Sequence, residues 1–402
     1  MSDELEFGQP RETDVPSLTR VVAQAFGHSQ ADAEQWLRDR VTMAEARVLR
    51  LGDEVVATAF RVPMGMFVGG VSVPQVGIAG VAVAPEARGR GLARRIMTET
   101  LRDMRSRGEH VSTLYSAAHP LYRSIGYESG GHLYKVRLPA GMIRSDDRGR
   151  GWRPYTPNDE VALKSCAGAR ASHVTGALDR GPYVWQRVFE PKQGLVEVFV
   201  ADSEDGGIEA YCVYRIDRTP GGERLGSAAG WWMDVVDLGY AGGRGLDRLL
   251  GFLQGFSSVV GEVRFAEGPN APLLDRLDDR RFGIEVHDTW MLRVVSLDAL
   301  TLRGYPTGLQ ATVGLRVHGD VLEDGVLTCV LEVSGGRGRL RKPTGQEPLL
   351  DLHMRDLATL YTGMHSASQL VMAGRLEGCR DMIELADAAF TATGGPCMFD
   401  FF

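Results

Sequence analysis

Apolar residues along this chain change period repeatedly, and each change predicts an element. Residues 15–25 and 31–40 carry helical spacing. The period then falls to two: 46–51 and 54–62 flank a Gly52-Asp53 turn, which predicts a hairpin. A second strand pair, 67–73 and 75–83, runs into a loop containing two glycines. Beyond it Ala93, Ile96, Met97, Leu101 and Met104 share one helical face, and Gly108 stands at the C-cap position. Residues 110–115 read as a strand, 121–124 as a short helix and 132–136 as a closing strand.

A polar, arginine-rich stretch at 144–152 reads as a linker. The pattern resumes with helical patches at 158–169 and 245–256 and strands at 195–201, 207–216 and 231–238. From Met291 onward, strands at 314–317 and 325–333 precede helices at 349–361, 367–373 and 380–390. Three regions result: 1–145, 146–290 and 291–402. A chain of 402 residues is long enough for two or three domains.

Composition narrows the class. Apolar residues make up 44% of the chain and charged residues 24%, the balance of a soluble globular protein. No run approaches the ~20 apolar residues of a membrane span, and the acidic start shows no secretory signal. Five scattered cysteines argue against a disulfide framework and against a cysteine zinc site, so no metal and a cytoplasmic home are expected. The net charge of −7 speaks against nucleic acid and mildly for a cationic substrate.

The candidate chemistry begins at Val81-Ala82-Val83-Ala84-Pro85-Glu86-Ala87-Arg88-Gly89-Arg90-Gly91-Leu92-Ala93-Arg94. Glycines at a strand-to-helix turn let the backbone approach a ligand, and a helix N-terminus offers unpaired N–H groups, so phosphate is the natural guest. The P-loop pattern fails because no Gly-Lys-Ser/Thr follows. The dinucleotide fingerprint fails because Arg94 stands at the third glycine position. The spacing Arg88-x-x-Gly91-x-Ala93 resembles the Arg/Gln-x-x-Gly-x-Gly/Ala signature of the GNAT acetyltransferases, in which this loop holds the pyrophosphate of acetyl-coenzyme A. Downstream, Gly243-Arg244-Gly245-Leu246 repeats the order of Gly89-Arg90-Gly91-Leu92. There Gly242 replaces the leading Arg and Asp247 the final small residue, so a degenerate second copy without cofactor is expected.

Acetyl transfer to an amine with pKa near ~10 needs a base for the amine and an acid for the leaving thiolate. Leu121-Tyr122-Arg123-Ser124-Ile125-Gly126-Tyr127 resembles the GNAT motif that supplies the acid, at Tyr122, with Tyr127 as a packing residue. The alternative for Tyr122 is a core tyrosine with a satisfied hydroxyl. For the base, His28, His119 and His132 are candidates in the first region. The chain also ends in Met398-Phe399-Asp400-Phe401-Phe402, which should dock in apolar surroundings. A buried terminal carboxylate would have its pKa raised from ~3.5 and become a better base; a hydrophobic plug with the carboxylate left in water fits the residues as well.

Taken together these features resemble the Eis (enhanced intracellular survival) acetyltransferases along the whole chain. The resemblance implies an α/β (α+β) fold: tandem GNAT-like domains, then a sterol-carrier-protein-like C-terminal domain, assembled as a hexamer. It implies Tyr122 as general acid and the carboxylate of Phe402 as general base. It also implies that Val81, Ala82 and Val83 hold the pantetheine arm, Arg88 to Arg94 the pyrophosphate, and Ser116, Ala117 and Ala118 the strand end beside the cofactor. Phe26 and Trp36 would be aromatic walls of a substrate pocket, or ordinary core aromatics, and Asp400 could pair a substrate ammonium. Aminoglycosides, polyamines and protein lysines are the amines in view; a hydrophobic-ligand carrier is the rival from another class. Phe401 departs from the acidic residue expected before the terminus.

Overall fold

The computed structural model describes residues 5–147, 149–192, 194–218 and 230–402. They form two compact units. One comprises Met1–Gly131, Thr289–Ala392 and Phe402, and the other His132–Asp288 with Thr393–Phe401.

In chain order the elements are β1 (Leu5–Gly8), α1 (Val15–Phe26), α2 (Gln30–Asp39), β2 (Ala46–Leu51), β3 (Glu54–Val68), β4 (Val71–Val83), α3 (Leu92–Ser106), β5 (Val111–Tyr115), α4 (His119–Arg123) and β6 (Glu128–Pro139). There follow β7 (Trp152–Pro154), α5 (Glu160–Ala171), β8 (Leu178–Asp179), α6 (Pro182–Phe189), β9 (Glu197–Asp202), β10 (Ile208–Arg218), β11 (Trp231–Tyr240), α7 (Gly242–Gln254), β12 (Glu262–Ala266), α8 (Pro272–Asp275) and β13 (Gly283–Val294). The last stretch holds α9 (Ala299–Leu302), β14 (Ala311–His318), β15 (Leu327–Ser334), β16 (Arg337–Arg341), β17 (Leu349–His353), α10 (Met354–Thr362), α11 (Ala367–Met372), β18 (Leu376–Glu377) and α12 (Arg380–Ala389).

In the first unit the strands run β1-β2-β3-β4-β5-β13. All neighbours are antiparallel except β4 and β5, which pair in parallel over only two positions, Val76↔Ser112 and Gly77↔Thr113. α3 is the crossover between those parallel strands. Its Ile96, Met97, Leu101 and Met104 are fully buried, so truncating any one to alanine should cost about 2–5 kcal/mol. The same unit carries the sheet β16-β15-β14-β17-β18. In the second unit the order is β6-β12-β11-β10-β9-β7, with β11 and β12 the parallel pair. No helix among the described residues is long and apolar enough to cross a membrane.

Three sequence expectations are corrected. The strand pair expected at 67–73 and 75–83 is divided elsewhere: the turn lies at Gly69-Gly70, whose φ of 61° and 82° close β3 onto β4 with Val68 facing Val71, and Pro74 sits within β4, opposite Gly65. The helix expected over 349–361 begins only at Met354. Its first five residues are β17, parallel to β14, because Leu350 and Leu352 alternate into the core. The His353 side chain then caps α10, accepting from the Arg355 N–H at 3.1 Å. The strand expected at 132–136 is the longer β6.

Candidate active site

β4 delivers the cradle. Between Thr58↔Ala82 and Phe60↔Ala79 its register with β3 slips, and Gly80 there has φ of 56°. This bulge bends the strand just past its last parallel pair with β5. The two parallel strands therefore part at their carboxyl ends, where open α/β sheets bind ligands. A Cβ at Gly80 would lie 2.4 Å from the Phe60 ring, against which Trp36 packs edge-on at 5.0 Å. Val81 and Val83 are half-buried and Ala82 buried, in the same core cluster as Tyr122.

Past a short 3-10 turn at Pro85–Ala87, Gly89 and Gly91 adopt φ of 76° and 73°. Gly91 is the N-cap of α3 and brings no side chain to it, so the N–H groups of Leu92, Ala93 and Arg94 stay available. A Cβ added at either glycine meets nothing within 4 Å; backbone and open space face each other. Arg88, Arg90 and Arg94 are exposed. Their guanidinium groups make no ion pair among the described residues, whereas Arg47, Arg50 and Arg61 on β2 and β3 are buried against Asp103, Asp14 and Glu109. Three unpaired cations, left-handed glycines and an uncapped helix start form a donor set that fits a diphosphate.

Tyr122 lies on α4, 7% exposed, and its hydroxyl has no hydrogen-bond partner among the described residues. Burial pushes its pKa up to about 12, so the phenol keeps its proton across the neutral range. Tyr127, packed edge-on against it at 5.9 Å, is fully buried, and its hydroxyl is engaged with Ser112 Oγ at 2.7 Å. Of the two tyrosines, Tyr122 is the one whose hydroxyl is without a partner among the described residues. Ser116, Ala117 and Ala118 follow β5 and lead into α4; Ser116 Oγ accepts from the Ala118 N–H at 3.2 Å.

The terminal residue belongs to the first unit. Phe402 is 6% exposed, its ring 5.5 Å from that of Tyr115 at the end of β5. A Cβ on Gly77 would come within 2.5 Å of it. Gly77 is the last residue of β4 paired with β5, so the chain terminus sits where the strands begin to part. Its carboxylate makes no ion pair among the described residues.

The remaining candidates are spread more widely. Phe26 is 48% exposed at the end of α1, stacked on His28. Trp36 is half-buried on α2. His28 and His119 are exposed, and the backbone of His132 pairs with the tail through Pro396 and Met398. Asp400 lies in the second unit, buried, with Arg180 on its carboxylate at 2.9 Å. Arg180 also holds Asp237, at 2.6 Å. Burial, with Asp237 close by, raises the pKa of Asp400 despite Arg180. Arg180 thus occupies the carboxylate that was expected to meet a substrate cation. Gly77, Gly80 and Tyr115 were not singled out by sequence; a glycine inside a strand pattern was the available signal.

Family models for an acetyltransferase (GNAT) domain match residues 7–130 and, through a second model, 176–294; a sterol carrier protein domain model matches 297–398. An uncharacterized N-acetyltransferase of Streptomyces griseus is 29% identical over 356 residues, covering 83% of each chain. The N-acetyltransferase Eis of Mycobacterium tuberculosis is 28% identical over 413 residues, covering 95% of this chain and 96% of its own. The crystal structure of a GCN5-related N-acetyltransferase from Anabaena variabilis superposes with a TM-score of 0.90 at 26% identity, covering 99% of this chain and 100% of that one.

Proposed function

We infer from one premise, that this chain is an Eis-like N-acetyltransferase of the GNAT superfamily with two GNAT domains and a sterol-carrier-like third, that its first unit acetylates primary amines of polycationic substrates such as aminoglycosides. GNAT acetyltransferases use acetyl-CoA. When bound, acetyl-CoA supplies the acetyl thioester. Arg88, Arg90 and Arg94 with the N–H groups of Gly89 to Arg94 would hold its diphosphate, and Val81 to Val83 with Ser116 to Ala118 its pantetheine arm. The Phe402 carboxylate accepts the proton of the attacking amine, and Tyr122 Oη gives its own proton to the departing sulfur. Phe26 and Trp36 line the acceptor side.

The observation that carries this reading is the seat of Phe402 on Gly77, in the same unit as the cradle and the unpartnered Tyr122 hydroxyl. The net charge of −7 supports a cationic acceptor. The domain limits 1–145, 146–290 and 291–402, a cofactor-free central domain and a hexameric assembly belong to the same proposal; light scattering on the purified protein checks the last.

The deciding experiment is thiol release with aminoglycosides, polyamines and lysine peptides, run on the full chain and on versions lacking Phe402 or ending in a Phe402 amide. Loss of the base should lower kcat by about 10²–10⁴-fold in both while acetyl-CoA affinity holds. Full turnover by the amide would remove the carboxylate from the mechanism. Turnover of lysine peptides alone would shift the substrate class to proteins.

A further inference from the structure

The second unit repeats the layout of the first cleft. β11 and β12 pair in parallel only from Trp232↔Glu262 to Asp234↔Arg264, and β11 runs on to Tyr240 before α7 starts at Gly242, which has φ of 71°. Ala241, the N-cap, supplies no side chain to the helix start. In front of it lies a cavity of about 930 Å³, at the upper end of the range of small-molecule sites. Its walls are largely apolar, from Leu246 of α7, Ala271, Pro272 and Phe399.

The charges at this mouth differ from those of the first cradle. Arg276 at the cavity and Arg244 on the first turn of α7 are paired with Asp247 and Glu204, and the carboxylates of Glu267 and Asp275 also line the space, so among the described residues no cluster of free arginines awaits a diphosphate. Two groups stay open. The first-turn N–H groups of α7 have no cap, and Gly242 and Gly243, both lining the cavity, leave open space where a Cβ would be. Arg170 lines the same cavity and is over nine-tenths buried, bonded to Glu267 and to the Leu238 carbonyl; its Nε has no acceptor. Donors for one anionic group at the edge of an apolar chamber describe an amphiphile with a single negative head.

We propose that this cavity of the central unit is a binding site for an aliphatic monocarboxylate, its head at the start of α7 on the Arg170 side and its chain along Leu246, Ala271 and Phe399. The probe is decanoate, titrated calorimetrically into the full chain beside decanol and decylamine. Decanoate should bind about tenfold or more tighter than decanol, and decylamine should not bind. Gly243→Trp fills the space in front of α7 and should abolish decanoate binding with acetyl transfer intact. Arg170→Gln should narrow the preference for decanoate over decanol. Equal binding of decanol, or tighter binding of decylamine, overturns the carboxylate assignment; failure of decanoate to saturate, or undiminished binding by Gly243→Trp, overturns the site, even if Arg170→Gln does not fold.

Discussion

Gly77 shows how much one missing side chain can control. Its position in β4 suits any residue, but the space a Cβ would fill belongs to the Phe402 ring and to Met64 Cε, at 2.5 Å and 2.4 Å. Gly77→Ala should push the terminal ring off β4 and lower kcat nearly as far as loss of Phe402, with KM for acetyl-CoA unchanged; normal turnover would show that the seat does not matter. Tyr122 gives a second test. Tyr122→Phe should cost about 10²-fold or more in kcat and leave stability nearly untouched, because the hydroxyl has no partner to lose. Since burial holds the phenol at about 12, the wild-type rate should show no falling limb up to pH ~10.5, where an ordinary tyrosine at ~10 would already have titrated. The packing of Tyr127 was legible from its motif. Gly77 was not, because its meaning depends on a residue at the far end of the chain that only the fold brings to it.

At the scale of elements, the cradle separates positioning by charge from positioning by backbone. Arg90→Ala should raise KM for acetyl-CoA about tenfold, the loss of one charge-assisted contact of ~1.4 kcal/mol. It should leave KM for acetyl-pantetheine, which has no diphosphate, unchanged. An equal rise for both would assign Arg90 to folding. The strand–glycine loop–helix unit was readable because its signals are local: a period of two, turn residues, then a period near 3.6. β17 was misread for a complementary reason. Leu349, Leu350, Leu352 and Met354 are compatible with either period over so short a run, and it is pairing with β14, more than thirty residues earlier, that selects the strand. The bounds 67–73 and 75–83 missed similarly, since the Gly69-Gly70 pair closes the hairpin ahead of Pro74.

For the molecule as a whole, the first acetyltransferase domain and the sterol-carrier-like region inside the first unit are joined by apolar packing of Val321 and Leu322 and by an ionic link. Arg293 on β13 and Asp320 beyond β14 are both buried and ion-paired, and Arg105 of α3 reaches the same carboxylate at 2.6 Å. Burial pushes the Asp320 carboxyl up, but Arg293 and Arg105 more than offset it, leaving it below the ordinary carboxylate range. A carboxyl lowered by folding stabilises above its unfolded pKa of ~3.9 and loses that contribution as pH falls through its folded value. Asp320→Asn preserves the shape but strands a fully buried guanidinium, and should cost about 3–5 kcal/mol at pH 7. Urea denaturation should therefore show a lower midpoint for the variant at neutral pH and a narrowing gap below pH ~4, as the wild-type carboxyl protonates. A gap that stays constant down to pH 2 would mean that packing, rather than the ion pair, joins these regions.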